Sequence, residues 1–368
     1  KTGAWHRFCC TAAGSRSFRS MGRAWIFVGL TALATLAAGL AHAASPESLG
    51  TFAIATLALA GLAWSVSFGT EQVGERFGPA VTGVLQSTLG NLPEFFVVMF
   101  ALKDGQLVIA QSSIVGSVFA NALLVLGIVI AAGWYASKDG LMRFSPRLPK
   151  DNAILMMLAS FLIVVLGIAT ASGERAANHV EAISIAGAVA LLVTYVVWIV
   201  DYLRSDAPSE PTETAPRLSL RTALVLLGLA GVGAAFVSDW FVTALTPSMD
   251  RLGIPKAFAG LVIVAIAGNA VENTTGVVLA LKGQSDLAIS VVKNSVAQIM
   301  AFLFPALVLV SFFFTTRLTF ALDPVFVGAL LLTALALWFI TSDGEATLFE
   351  GVALVSFYVI LAVVTWYE

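Results

Sequence analysis

Charge is what this sequence has least of. Asp, Glu, Lys and Arg make up 11% of its 368 residues, against about 25% in an ordinary soluble domain. So little charge beside 58% hydrophobic residues excludes a soluble globular enzyme and a disordered tail. Cysteine is nearly absent too. The only two, Cys9 and Cys10, are adjacent, so neither a disulfide framework nor a CxxC metal site is available. Of the three histidines, His6 lies in the N-terminal stretch, and His42 and His179 stand at the ends of apolar runs. None lies in the middle of a run, which excludes the Ser and His pair of an intramembrane protease. HExxH and GxxxxGK[ST] are both missing, which excludes a zinc metalloprotease and a P-loop phosphate site. A net charge of −2 provides no bulk positive field for nucleic acid. The chain reads as something other than an enzyme.

What it has instead is long hydrophobic runs, with a mean hydropathy of +0.92. A spanning helix needs about 20 mostly apolar residues. Eleven such runs lie near 24–43, 50–68, 79–102, 107–134, 152–172, 179–202, 219–245, 257–281, 286–314, 324–341 and 346–367. They lack the alternation of barrel strands, so the expected fold is an all-α polytopic membrane protein of eleven transmembrane helices. With the N-terminus placed in the cytoplasm, fourteen of the 20 Lys and Arg fall on the cytoplasmic side and five outside. That bias supports this orientation. Lys293 is the one basic residue inside a span. The first run is read as a retained helix, longer than the usual signal-peptide core. Ala41-His42-Ala43 keeps signal-like cleavage open. Residues 1–20 read as an unstructured extension. Short loops and the first segment suggest a bacterial inner membrane.

The longest polar interruption, Arg204 to Pro216, is rich in Pro and acid and reads as a linker. The expected organisation is an N-terminal extension and first helix (1–49), a five-helix repeat (50–203), an acidic cytoplasmic linker (204–218) and a second five-helix repeat (219–368).

The repeats are visible as a motif. Gly90-Asn91-Leu92-Pro93-Glu94 is matched by Gly268-Asn269-Ala270-Val271-Glu272. Both run on to Ala-Leu-Lys, and both reach a serine 23 residues after the glutamate, Ser117 and Ser295. An offset of five spans makes the repeats cross in opposite directions. Such inverted repeats place a transporter's site at the midplane. A carboxylate inside a spanning helix costs about 2.5–3.5 kcal/mol on insertion scales, so Glu94 and Glu272 need a compensating role. Asn91, Asn269, Ser117, Ser295, Asn121 and Gln298 offer neutral oxygens around them. Gly90 and Gly268 permit a bent backbone, and Pro93 leaves the carbonyl of Leu89 without its helical donor. Oxygen ligands with two carboxylates suit Ca2+ rather than a transition metal. A channel would need a ring or filter loop, whereas one chain here supplies both halves of the site.

Gly-Asn-x-x-Glu in two inverted copies, each followed by Ala-Leu-Lys, resembles the Ca2+/H+ exchangers (CAX) of the calcium/cation antiporter superfamily. The resemblance covers residues 50–368. It includes Gly116-Ser117, Asn121, Ser295, Gln298, Ser238-Asp239, Phe349-Glu350-Gly351 and an acidic loop after the sixth helix. It implies one helix followed by two five-helix repeats, and cation export coupled to ion entry. It also implies that Glu94 and Glu272 are the central cation and proton ligands. No cofactor is implied beyond transported Ca2+, H+ and, as an alternative, Na+. The implied partners are inorganic cations and the bilayer, with no obligate protein partner.

Three departures bear on the ion and keep a Na+/Ca2+ exchanger, or an antiporter for another cation, as the alternative. Leu92-Pro93 stands where the family has Ala-Thr, closer to the Na+/Ca2+ branch. Asn273 follows the second glutamate where His is usual. Asn294-Ser295, preceded by Lys293, replaces a Gly-Ser pair. Lys293 reads either as the partner of Asp286, seven residues earlier on about the same face, or as a built-in charge tuning the site. Asp239 reads either as a proton-path acid or as a helix-end group. Glu71, Glu75 and Glu350 read as solvated groups near the membrane faces, although the resemblance would place the first two at the cytoplasmic entrance.

Overall fold

The computed structural model describes residues 3–74, 76, 85, 89–145, 147–204 and 218–368, with side chains described outside 3–23, 147–153, 202–204 and 270–273. Glu75, most of the linker and the side chains of Cys9, Cys10, Glu272 and Asn273 therefore lie outside the described residues. The described chain is almost entirely helical. In order it forms α1 (Gly3–Ala44), α2 (Leu49–Gly74), α3 (Leu92–Lys103), α4 (Leu107–Ala136), α5 (Arg147–Ala171), α6 (Val180–Arg204), α7 (Leu220–Leu252), α8 (Lys256–Gly268), α9 (Ala270–Leu281), α10 (Ser285–Ser311), α11 (Pro324–Thr341) and α12 (Leu348–Trp366).

Nine helices among the described residues are long and apolar enough to cross a membrane. Two expected spans differ from this set. The run at 257–281 is not one helix: Asn269 leaves helical geometry (φ −100°, ψ 12°) and divides it into α8 and α9. In the run at 79–102, α3 begins at Leu92 after a turn at Gly90-Asn91. The polar motif that supplies oxygens also interrupts the hydrogen-bond ladder. A further correction concerns residues 3–20, which continue α1 instead of lying unstructured. No proline precedes Pro46, so nothing stops the helix from propagating upstream.

The helices sort by burial. The apolar windows of α4 and α10 are 83% and 72% buried, against 17–44% for the other seven. These two stand at the centre. The rest present large apolar side chains such as Leu36, Val197 and Phe339 outward, as lipid-facing helices do.

Small residues set the central crossing. A Cβ on Gly116 of α4 would stand 2.5 Å from Leu261 Cα, and one on Gly260 of α8 would stand 3.0 Å from Ser113 N. Only glycine allows two backbones this close. A second such contact joins α4 to α12, where Gly127 meets the carbonyl of Gly351.

The backbone around the two motifs matches locally. Asn91 (φ −86°, ψ 11°) and Asn269 (φ −100°, ψ 12°) both precede helix starts. Gly105 and Gly283 take left-handed φ of 74° and 75°, which favours glycine. Gln106 and Gln284 follow at nearly identical angles. Wide π turns then occur at Ala120–Val125 in α4 and Ile299–Leu303 in α10, with a third at Ala259–Val264 in α8.

At one end of the bundle, β1 (Met142–Arg143) pairs antiparallel with β2 (Glu345–Ala346). Arg143 bridges Asp139 and Glu345 there. Its hydrogen bond holds the Asp139 carboxyl below the usual range. Glu350 closes a capping box on α12: Thr347 Oγ1 accepts from the Glu350 N–H, and Glu350 Oε2 accepts from the Thr347 N–H at 2.7 Å. Thr347→Ala is expected to cost about 1 kcal/mol and Thr347→Ser to retain most of it. Thermal unfolding of the purified protein checks this. Equal melting of all three forms would deny the cap any weight.

Candidate functional site

Glu94 is the third residue of α3, just past Pro93 in the first turn. A carboxylate is favoured there by the helix dipole, yet the group is buried. Its Oε1 accepts a hydrogen bond from Ser117 Oγ on α4. Ser117 Oγ in turn accepts from Asn269 Nδ2 at 2.9 Å. Asn269 also donates to Ala265 O at 2.8 Å, which ties its amide to the last turn of α8. Asn121 Nδ2 donates to Asn269 Oδ1 at 2.9 Å and to Ser295 Oγ at 3.2 Å.

One chain of bonds thus runs Glu94, Ser117, Asn269, Asn121, Ser295, across α3, α4, the α8–α9 break and α10. All five side chains are buried. Asn121 Oδ1 is a buried acceptor with no hydrogen-bond partner among the described residues. Such an oxygen, on one chain of bonds with a buried carboxylate and serine hydroxyls, is of the hard type that could hold a hard cation.

The other sequence candidates are placed as follows. Asn91 is buried at the turn before α3, and its carbonyl accepts from Phe95 N at 2.9 Å. Gly90 occupies the same turn, and Gly268 closes α8 immediately before Asn269. Gln298 is buried one turn beyond Ser295 and joins the chain of bonds through no hydrogen bond among the described residues. Glu272 is the third residue of α9, the position Glu94 holds in α3.

Lys293 does not pair with Asp286. Its ammonium donates to Thr341 Oγ1 at the end of α11, and that hydroxyl donates to Leu337 O at 2.6 Å. Asp286 instead accepts from the Ser145 N–H. Two positions along a helix are about 200° apart, so Lys293 and Ser295 point to nearly opposite sides of α10. The partner was missed because it lies 48 residues away, whereas helical spacing reveals only neighbours on the same helix. The C-terminal end of α11 is a favourable place for a cation.

Asp239 lies well inside α7, 13 residues before its end, so it is not a helix-end group; it is half-exposed and pairs with Lys103, the last residue of α3, at 3.4 Å. Burial holds the neighbouring Asp104 above the usual carboxylate range, with Lys103 opposing and Asp239 reinforcing. Ser238, beside it, approaches the carbonyl of Pro93 at 3.4 Å and so links α7 to the start of α3.

Comparison with known proteins matches most of the chain. The family model described as sodium/calcium exchanger protein matches residues 47–201 and 222–367. A vacuolar calcium ion transporter of Schizosaccharomyces pombe is 32% identical over 333 residues, 86% of this chain and 79% of that protein. The Ca2+/H+ antiporter ChaA of Bacillus subtilis is 29% identical, over 85% of this chain and 90% of its own. Among solved structures, native YfkE is 27% identical with a TM-score of 0.78, covering 94% of this chain and 99% of that one. The H+/Ca2+ exchanger CAX, at 17% identity, shares the fold with a TM-score of 0.72 over 92% of this chain and 91% of that one. With such relatives and so many apolar helices, the chain is an integral membrane protein.

Proposed function

Because the chain belongs to the sodium/calcium exchanger protein family, in its Ca2+/H+ exchanger (CAX) branch, we propose that it exports Ca2+ in exchange for H+ by alternating access. The observation that carries this is the bond chain from Glu94 to Ser295, which joins the two motif-bearing segments. Its ends belong to two inverted five-helix repeats, 50–203 and 219–368, joined by the linker at 204–218 and preceded by a first helix within 1–49. Eleven spans result when α3 is counted with the run before it and α8 with α9. The local backbone match at Asn91 and Asn269, and at Gly105 and Gly283, supports that reading. The N-terminus then lies in the cytoplasm and the membrane is a bacterial inner membrane.

In this proposal Glu94 and Glu272 are the central ligands, and Asn91, Asn269, Ser117, Ser295, Asn121 and Gln298 supply neutral oxygens. Transported Ca2+ and H+ are the only ions required. Burial disfavours ionised carboxylates, so two bare glutamates are too costly to carry between inward and outward states. One Ca2+ neutralises both, and so do two protons. Only the occupied site isomerises cheaply, which gives exchange rather than leak. Acid outside protonates the pair, releases Ca2+ outward and returns protons inward. The backbone-altering Leu92-Pro93 before Glu94 favours one second reading, Na+ in place of H+ as the coupling ion.

The test is radiolabelled Ca2+ uptake into proteoliposomes, driven by a pH gradient and separately by a Na+ gradient. Uptake is expected with the pH gradient. Uptake with Na+ alone would move the protein to the second reading, and uptake with neither would remove Ca2+ as substrate.

A further inference from the structure

The last helix supplies none of the residues proposed as ligands, yet one of its side chains reaches the helix that carries Asn269. Tyr358 of α12 is buried, and its hydroxyl donates to Leu261 O at 3.3 Å. Leu261 lies in the π turn Ala259–Val264 of α8. In an α-helix the Ala265 N–H would bond Leu261 O. Here it donates to Gly260 O and Val262 O instead. Leu261 O is passed over by its α-helical donor, and the phenol of a different helix donates to it. In a medium without water, each polar backbone group so displaced requires another partner.

The same residue marks one of the closest backbone crossings among the described residues. Leu261 Cα and O are the atoms that a Cβ on Gly116 would strike, at 2.5 and 2.7 Å. Gly116 is followed directly by Ser117. Asn269, eight residues beyond Leu261, donates to Ser117 Oγ. A π turn holds one residue more than an α turn. Its loss would rotate everything after it by about 100°, and Asn269 would no longer face Ser117. Two other contacts keep α12 in place against this crossing: Gly351 on Gly127 of α4 and the edge-on packing of Phe258 and Trp366 at 4.9 Å.

We propose that Tyr358 is a positioning residue for ion exchange: its hydroxyl holds α8 in the π register that directs the Asn269 amide at Ser117. The inference rests on the site assigned above, but half of its test does not depend on the transported ion. The variants are Tyr358→Phe, which removes only the hydroxyl, and Tyr358→Leu, which removes the ring as well.

Amide hydrogen exchange is measured first on the full protein in lipid nanodiscs. In Tyr358→Phe, peptides covering 259–268 are expected to exchange several-fold faster, with those of α2 unchanged. Unchanged exchange at 259–268 overturns the proposal whatever the protein transports. Ca2+ uptake under a pH gradient is measured second. The apparent KM for Ca2+ is expected to rise about threefold to tenfold in both variants, the effect of one buried hydrogen bond. A purely structural role would reduce the amount of active protein and lower the maximal rate at constant KM. That pattern overturns the proposal, as does a KM shift confined to Tyr358→Leu. Absence of uptake by the wild type would refute the Ca2+/H+ reading, while the exchange data still decide whether Tyr358 holds the turn.

Discussion

Glu94→Gln is expected to abolish pH-driven Ca2+ uptake while leaving a folded, monodisperse protein. The amide keeps the size of the side chain and can still accept from Ser117 Oγ, the hydrogen bond that Glu94 Oε1 accepts now. What it cannot do is carry a negative charge. A unit charge pair at 4 Å is worth about 4 kcal/mol at an effective dielectric of 20, and a divalent ion feels each carboxylate twice. A loss of two orders of magnitude in uptake, about 2.7 kcal/mol, is therefore a lower figure. In the proposed mechanism the same substitution also removes a proton carrier, so increasing Ca2+ is not expected to rescue turnover. Stability moves the other way or not at all, because a buried carboxylate is replaced by a neutral group. Glu272→Gln is expected to match it. Uptake in either variant within threefold of wild type, at equal protein in the liposomes, would refute the two-carboxylate mechanism.

Much of the site's assembly was legible before any coordinates, for a physical reason. In a lipid-facing sequence a polar residue within an apolar run is costly, so each one stands out. When the same polar pattern recurs at a fixed offset, chance becomes a poor explanation. Ser117, Asn269 and Ser295 were legible in that way and Asn121, whose counterpart is Ile299, only as a polar residue in an apolar run; the structure brings the four side chains into one hydrogen-bonded chain with Glu94. The breaks before α3 and at Asn269 were legible from Gly90, Pro93 and Gly268. The π turns were not, since an extra residue in one helical turn leaves the apolar pattern almost intact. Tyr358 was missed for the same reason: its acceptor is a backbone carbonyl, and backbone atoms carry no sequence signal. Of the two readings of Lys293, the pairing with Asp286 fails, because helical spacing relates residues on one helix only. The chain around β1 instead occupies that carboxylate through Ser145, and Thr341 receives the ammonium. Long-range pairing of this kind is set by how helix ends meet, which hydropathy does not encode.

Gly116→Leu is expected to yield protein that neither assembles stably nor transports, and Gly116→Ala to lower the melting temperature by on the order of 5 °C. The obstacle is backbone, not a flexible side chain. A single methyl at Gly116 would stand 2.5 Å from Leu261 Cα and 2.7 Å from its carbonyl oxygen, so α4 and α8 must separate. Overpacking of that kind costs about 1–3 kcal/mol, and lipid offers no hydrophobic force to draw the helices back together. Separation also acts on the site, because Ser117 follows Gly116 and receives its hydrogen bond from Asn269 across this crossing. Uptake should therefore fall in Gly116→Ala even below its melting temperature. Gly228→Ala on α7 is the matched control, since nothing lies within 4 Å of the added methyl, and alanine is the better helix former. Wild-type melting and uptake are expected there. If Gly116→Ala also melted and transported like wild type, the close crossing could not be what holds Ser117 and Asn269 together.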